Sequence, residues 1–336
     1  MKYLTLLVLS LSIRAVPAFA DVTIANPTRN AEVVSPFLLA ATASKCSSQP
    51  IASMGYSIDS ITNPIMVKGS SIDTHVSSIT GAHTIYVQSF GKGGAVCERS
   101  VAIIVVPDPV TQVPSDASKY NRVQALDGWQ GTNDNGVPGG IASGTTQIVS
   151  SPSLSGSARQ FSMQFTNNGA ERYSVVFGSN TSVTNFLYDG WVYIARPSNA
   201  IANLEMDTDQ VMSNGDTVIF GFQCDGYSGT WDYTTNEGTS TAPQSHWLNS
   251  PYGCNPRQWS TNTWHHVQVS YSRDQYGSVT YQSVWFDGVE QDLNQTVSSD
   301  FSLNWATVLL TNFQIDGYGA SGSATVYLDN LTIYAW

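Results

Sequence analysis

Between Ile201 and Asp209 the chain reads Ile-Ala-Asn-Leu-Glu-Met-Asp-Thr-Asp. At a repeat of two, Asn203, Glu205, Asp207 and Asp209 fall on one face, and Leu204 and Met206 on the other. A β-strand with this pattern sets its apolar side into a core and presents three carboxylates in a row. Like charges that close disturb one another's ionisation, so the row needs hydrogen-bond donors, a cation or a shared proton. Neighbouring carboxyls whose ionisation is split act as acid and base in glycoside hydrolysis. The same spacing also describes the wet face of an ordinary antiparallel strand.

The elements that must hold this row read as strands throughout 121–336. Phe161, Met163 and Phe165 alternate with polar residues, as do Val218, Phe220 and Phe222. Val267, Val269 and Tyr271 alternate with Gln268 and Ser270, and Val279 to Phe286 runs into Asp287-Gly288, a strong hairpin signal. No amphipathic helix interrupts them, so one large sandwich or jelly roll is expected. In the closing strand, Val326 and Leu328 are in phase and then Leu331 and Ile333, a slip that predicts a bulge at Asp329-Asn330. Asp329 is the candidate ligand for a structural Ca²⁺, with a plain hydrogen-bonded bulge as the alternative. No other cofactor is called for.

Residues 21–106 read as a separate small all-β domain of short strand-like runs broken by Pro, Gly, Ser and Asn. Three prolines between Pro107 and Pro114 suggest a stiff linker over 107–120. Residues 1–20 have the marks of a signal peptide: Lys2, an apolar run from Leu4 to Ile13, and Ala18-Phe19-Ala20 as a cleavage pattern. The protein is therefore expected to be secreted, periplasmic or on a bacterial cell surface. In that compartment the four cysteines suggest one disulfide per domain, Cys46–Cys97 and Cys224–Cys254.

Charge narrows the partners. The whole chain carries −11, and residues 121–336 hold six arginines, no lysine and eighteen carboxylates. Such a surface repels nucleic acid and anionic polymers, and no stretch after the leader is long and apolar enough to span a bilayer. All nine tryptophans lie in this acidic part. Aromatic rings bury the apolar faces of sugars well, so Tyr227, Trp231 and Trp264 are stacking candidates for a neutral glycan. His266 shares a strand face with Trp264 and joins them. Gly317-Tyr318-Gly319-Ala-Ser-Gly322 matches a dinucleotide-binding pattern by letter but leads into a strand, so no phosphate cradle follows.

Trp264-His-His-Val267, then Val284-Trp-Phe-Asp287-Gly288-Val289, and the closing Val326 to Tyr334 resemble the signature of concanavalin A-like domains. These include laminin-G-like modules and laminarinase-type glucanases. Gly81 to Gly91 resembles the late strands of bacterial immunoglobulin-like domains. The resemblance implies an all-β chain: an immunoglobulin-like sandwich over 21–106 and a concanavalin A-like jelly roll over 121–336. It further implies a glycan site on a concave face. The glucanases carry Glu-x-Asp-x-Glu there, which places Glu205 as nucleophile, Asp207 as helper and Asp209 as proton donor. Here the last position is Asp, and the usual Trp-Pro-x-x-Gly lead-in is absent. Three readings stand: recognition of a neutral polysaccharide, a retaining glycoside hydrolase, and a structural adhesin with protein partners. A polysaccharide lyase fits the charge poorly, since six scattered arginines would have to neutralise a uronate.

Overall fold

The computed structural model describes residues 22–134 and 138–336; the leader expected at 1–20 lies outside the described residues. The protein is all-β, with three short 3₁₀ turns among the described residues. Compactness divides it into two units. The smaller comprises Val22 to Asn30, Leu39–Thr74 and His83–Ile103. The larger comprises Ala31–Leu38, His75–Ala82 and Ile104–Trp336.

In the smaller unit, Gln49–Ile58 is paired antiparallel on one side with Ile65–Lys68 and on the other with Gly81–Gly91. Leu39, Met54, Ile72, Ile85 and Val87 are buried there. Cys46 is bonded to Cys97, Cα to Cα 5.6 Å.

The larger unit has two antiparallel layers. One is a nine-stranded sheet whose main path runs Gln130–Asp134, Ala170–Gly178, Val308–Gly317, Ile201–Val211, Phe222–Asp225, Thr230–Asn236 and Ser245–Gly253. The other runs Ile141–Val149, Ala158–Thr166, Ser321–Ala335, Asn185–Ile194, Trp264–Arg273, Ser278–Phe286 and Val289–Ser298. Strict alternation puts Leu204, Met206, Phe313 and Ile315 from the first sheet against Phe161, Val192, Val267 and Val326 from the second. Burying such side chains, at ~25 cal/mol per Å² of apolar surface, is what closes the two layers. Asp287 and Gly288 both take positive φ, 51° and 84°, joining Phe286 directly to Val289 in a tight hairpin.

One local expectation needs revision. The proline stretch is not a free spacer. Asp108 caps a 3₁₀ turn over Pro109–Gln112 and accepts a hydrogen bond from Gln268. Val110 and Val113 pack against a cluster that contains Leu187, Trp285 and Tyr334. The apolar residues between the prolines drive this docking, so the segment belongs to the larger unit. The Asp329 bulge is present, as a register shift with Asn330 at φ 50°. Its carboxylate is occupied by hydrogen bonds. It accepts from Ser153 Oγ, Leu154 N, Ser155 N, Ser155 Oγ, Gln124 Nε2 and Asn330 N, and these donors fill both oxygens.

Candidate functional site

The strand Ile201–Val211 lies inside the nine-stranded sheet, and every one of its residues is buried. Leu204 and Met206 face the core. Asn203, Glu205, Asp207 and Asp209 face away from it, yet are only 2–7% exposed. The cause is the neighbouring strands, which carry side chains of similar length on the same face. Val308–Gly317 repeats the pattern, with Asn312, Gln314 and Asp316 alternating with Phe313 and Ile315. Register sets Gln314 beside Glu205 and Asn312 beside Asp207. On the other flank Gln223 adjoins Glu205 and Asp225 adjoins Asn203.

The result is a seam of acids interleaved with amides. Gln314 Nε2 donates to Glu205 Oε1 at 2.7 Å and to Asp316 Oδ1 at 3.0 Å. Asn312 Nδ2 donates to Asp209 Oδ2 at 2.9 Å, and Asn203 Nδ2 to Asp316 Oδ2 at 3.1 Å. Asp207 Oδ1 accepts the Phe222 N–H at 3.0 Å. Two buried acceptors, Asp209 Oδ1 and Gln223 Oε1, have no partner among the described residues. An unpaired buried acceptor costs about 1–3 kcal/mol, so Gln223 Oε1 is primed for a donor, while Asp209 Oδ1 is the oxygen of its carboxyl open to a proton.

Ionisation follows burial. Desolvation, then Asp316 and Asp207, hold the Glu205 carboxyl well above the ordinary range. Desolvation and Asp209 do the same to Asp207, although the Phe222 amide opposes them. Burial pushes Asp209 up to about 7 against the pull of Asn312 and Arg172. Asp316 rises to about 6, and Asp232, buried beside Asp225, to about 7. Arg172, in register with Gln314, acts on all three carboxyls of the acid strand.

One end of the seam carries aromatic rings. Gly226 passes so close to the chain that a Cβ there would lie 2.4 Å from the Ala202 carbonyl oxygen. That approach presents Tyr227, which is 56% exposed, with its ring 5.7 Å from Tyr318. The Arg257 guanidinium sits 4.1 Å over the Tyr318 ring and donates to the Gly226 carbonyl. Cys224–Cys254 ties this loop to the segment bearing Arg257.

Three residues expected at this face are elsewhere. Trp231 is fully buried and stacks on Phe222 at 5.1 Å, because its strand turns it inward and Asp232 outward. Trp264 and His266 belong to the other sheet and point outward from it. His266 stacks on Trp191 at 4.4 Å and contacts Asp189 at 2.6 Å, which is a packing arrangement on that sheet. Reasoning from the acid strand alone missed Asn312, Gln314, Asp316, Gln223 and Tyr318. The same period-two alternation that marks 201–209 is legible over 312–316; what was not legible is that the two strands are neighbours. Among the described residues no group of three His, Cys, Asp or Glu could hold a metal ion.

No protein-family model matches the chain, and no curated protein matches it. Several solved structures show a weak likeness to it. A carbohydrate-binding module of the β-sandwich superfamily is 11% identical, with a TM-score of 0.34 over 92% of this chain and 95% of the other. A carbohydrate esterase from a Shiga toxin-encoding bacteriophage, phi24B, is 11% identical, with a TM-score of 0.35 over 65% and 99%. A cellulose-induced protein is 13% identical, with a TM-score of 0.35 over 61% and 90%. Likeness of this size assigns neither family nor ligand.

Proposed function

We propose that this is an exported carbohydrate-binding protein that holds a neutral polysaccharide against the Asn203–Asp209 face of its larger unit. The observation that carries this reading is the seam itself. Carboxyls and amides alternate in register, burial disfavours the ionised form of the carboxyls on the acid strand, and the buried Gln223 Oε1 lacks a donor. Such a surface offers many hydrogen bonds and little fixed charge, which suits hydroxyl groups. Tyr227 and Tyr318 at its end supply a ring surface for the apolar face of a sugar.

One observation favours hydrolysis as a second reading. Asp209, at about 7, holds the proton a general acid needs. Two features oppose it. Burial also disfavours the ionised form of Glu205, which a nucleophile must adopt. The two residues are four apart on a strand that rises ~3.3 Å per residue, so their Cα atoms lie ~13 Å apart, and Asp reaches less far than Glu towards the ~5.5 Å a retaining pair requires.

The test is binding and turnover measured together on β-glucan, xylan and mannan oligosaccharides. The expected result is binding to at least one class, weakened roughly tenfold by Gln314→Ala or Asp207→Asn, with no reducing ends released. Release that Glu205→Gln abolishes would make the protein a hydrolase. Absence of binding to every class would end the glycan reading of this face.

A further inference from the structure

The opposite side of the larger unit carries a second arrangement, built from Trp264 and residues the first site does not use. Register aligns Trp264 with Tyr193, Tyr193 with Tyr327, Tyr327 with Gln160 and Gln160 with Gln147. These five side chains therefore form a line across five adjacent strands, ~19 Å long at ~4.8 Å per strand. Ring centroids lie 5.3 Å apart for Tyr193 and Trp264, and 5.5 Å for Tyr193 and Tyr327. The line is locked laterally: Gln147 Nε2 donates to Gln160 Oε1 at 2.6 Å, and Gln160 Nε2 to the Tyr327 hydroxyl at 3.3 Å.

Beside this ridge lies a shallow groove of about 550 Å³ lined by Thr145, Ser143, Ser162, Gln164, Ser323 and Thr325. Across these three strands the outward positions from Ser143 to Gln147, Gln160 to Gln164 and Ser323 to Tyr327 are all Ser, Thr, Gln or Tyr. In a region with eighteen carboxylates, a patch this size without charge is a marked departure from its surroundings. An ordinary solvated sheet face in an acidic protein would carry Asp or Glu there. The Arg196 guanidinium, near the Trp264 end, is already engaged with Thr261.

We infer that this uncharged face is a second carbohydrate-binding site, and that its ligand is a neutral polysaccharide chain at the surface of an insoluble glycan. The ridge of half-buried rings supplies apolar contact for sugar C–H faces, and the hydroxyl and amide groove supplies donors and acceptors for the hydroxyl rim. A row that crosses the strands in a straight line is matched by an extended chain. It is poorly matched by a folded protein segment, which would bring charges and unpaired peptide groups. The site is independent of the carboxylate seam, which lies on the other sheet.

The experiment is adsorption of the intact protein to four solids: microcrystalline cellulose, chitin, insoluble mannan and insoluble β-1,3-glucan. Wild type and a control variant at an exposed turn outside both sites, Tyr276→Ser, are expected to adsorb alike to at least one of them. Trp264→Ala with Tyr327→Ala should lower the partition about tenfold, equivalent to about 1.4 kcal/mol. Thr145→Asp, at an exposed position that leaves packing intact, should do the same by placing a carboxylate in the groove, while binding of soluble oligosaccharides stays at the wild-type level. The inference is overturned if no solid retains the wild type, or if retention survives both groove variants. It is equally overturned if Thr145→Asp changes the sedimentation of the free protein, since the groove would then be occupied by a second copy.

Discussion

Asp209 shows how one carboxyl can tie the seam to stability. Its ordinary value is 3.8, and burial raises it to about 7 in the folded protein. The folded state then holds more protons than the unfolded chain between those values, so stability falls as pH rises through that window. Asp209→Asn removes the penalty. Thermal or urea unfolding is expected to show a gain of up to about 4 kcal/mol at pH 8 and almost none at pH 3. An equal gain at both pH values would mean that the side chain is ionised in the fold without cost. Asp329 behaves in the opposite sense. Burial alone would raise it, but the Ser153 and Ser155 hydroxyls and nearby amides hold it below 3.8. Its contribution is complete above the unfolded value and is lost as pH falls through the folded one. Asp329→Ala should cost roughly 3 kcal/mol at pH 7, and chelators should leave the melting temperature unchanged.

At the scale of the strand, position on the sheet decides what a residue does. Trp231 and Trp264 have the same side chain, but the first fills the core and the second sits on an outer ridge. Trp231→Ala should therefore cost about 3–5 kcal/mol of stability through the cavity it leaves. Trp264→Ala should cost far less, and urea titrations of the two variants would separate the roles. A comparable loss for both would mean that the ridge is part of the core. The alternation that identified 201–209 as a strand also identifies 141–149, 158–166 and 321–328 as strands with polar outer faces. Alternation says which residues share a face. It does not say which strands are side by side, and so it could not show that Trp264 and the acid strand lie on different sheets.

For the whole molecule, the proposed ligand makes a simple electrostatic prediction. A net charge of −11 generates long-range forces that salt screens over about 10 Å at 0.1 M. A neutral glycan feels little of them, so its affinity should change less than about twofold between 50 mM and 500 mM salt. A steep dependence in calorimetry would point to a charged ligand instead. The Cys224–Cys254 bridge closes a loop of sequence separation 30 near the Tyr227 end of the seam. Its replacement by alanines should lower stability by about 3 kcal/mol, as read from the unfolding midpoint.

The sequence by itself determined the local facts: strands throughout, a hairpin at Asp287-Gly288, a bulge at Asp329, an acidic lysine-free second part, and a carboxylate row facing one way. These follow from periodicity, turn chemistry and composition, which act over a few residues. Only the tertiary structure decided that Asn312, Gln314 and Asp316 interleave with that row, that Trp231 is core, and that Trp264 belongs to an uncharged face on the opposite sheet. The physical reason is that antiparallel pairing joins strands about a hundred residues apart, such as 201–211 and 308–317. A period of two fixes the face of a side chain but carries no information about its neighbour across the sheet.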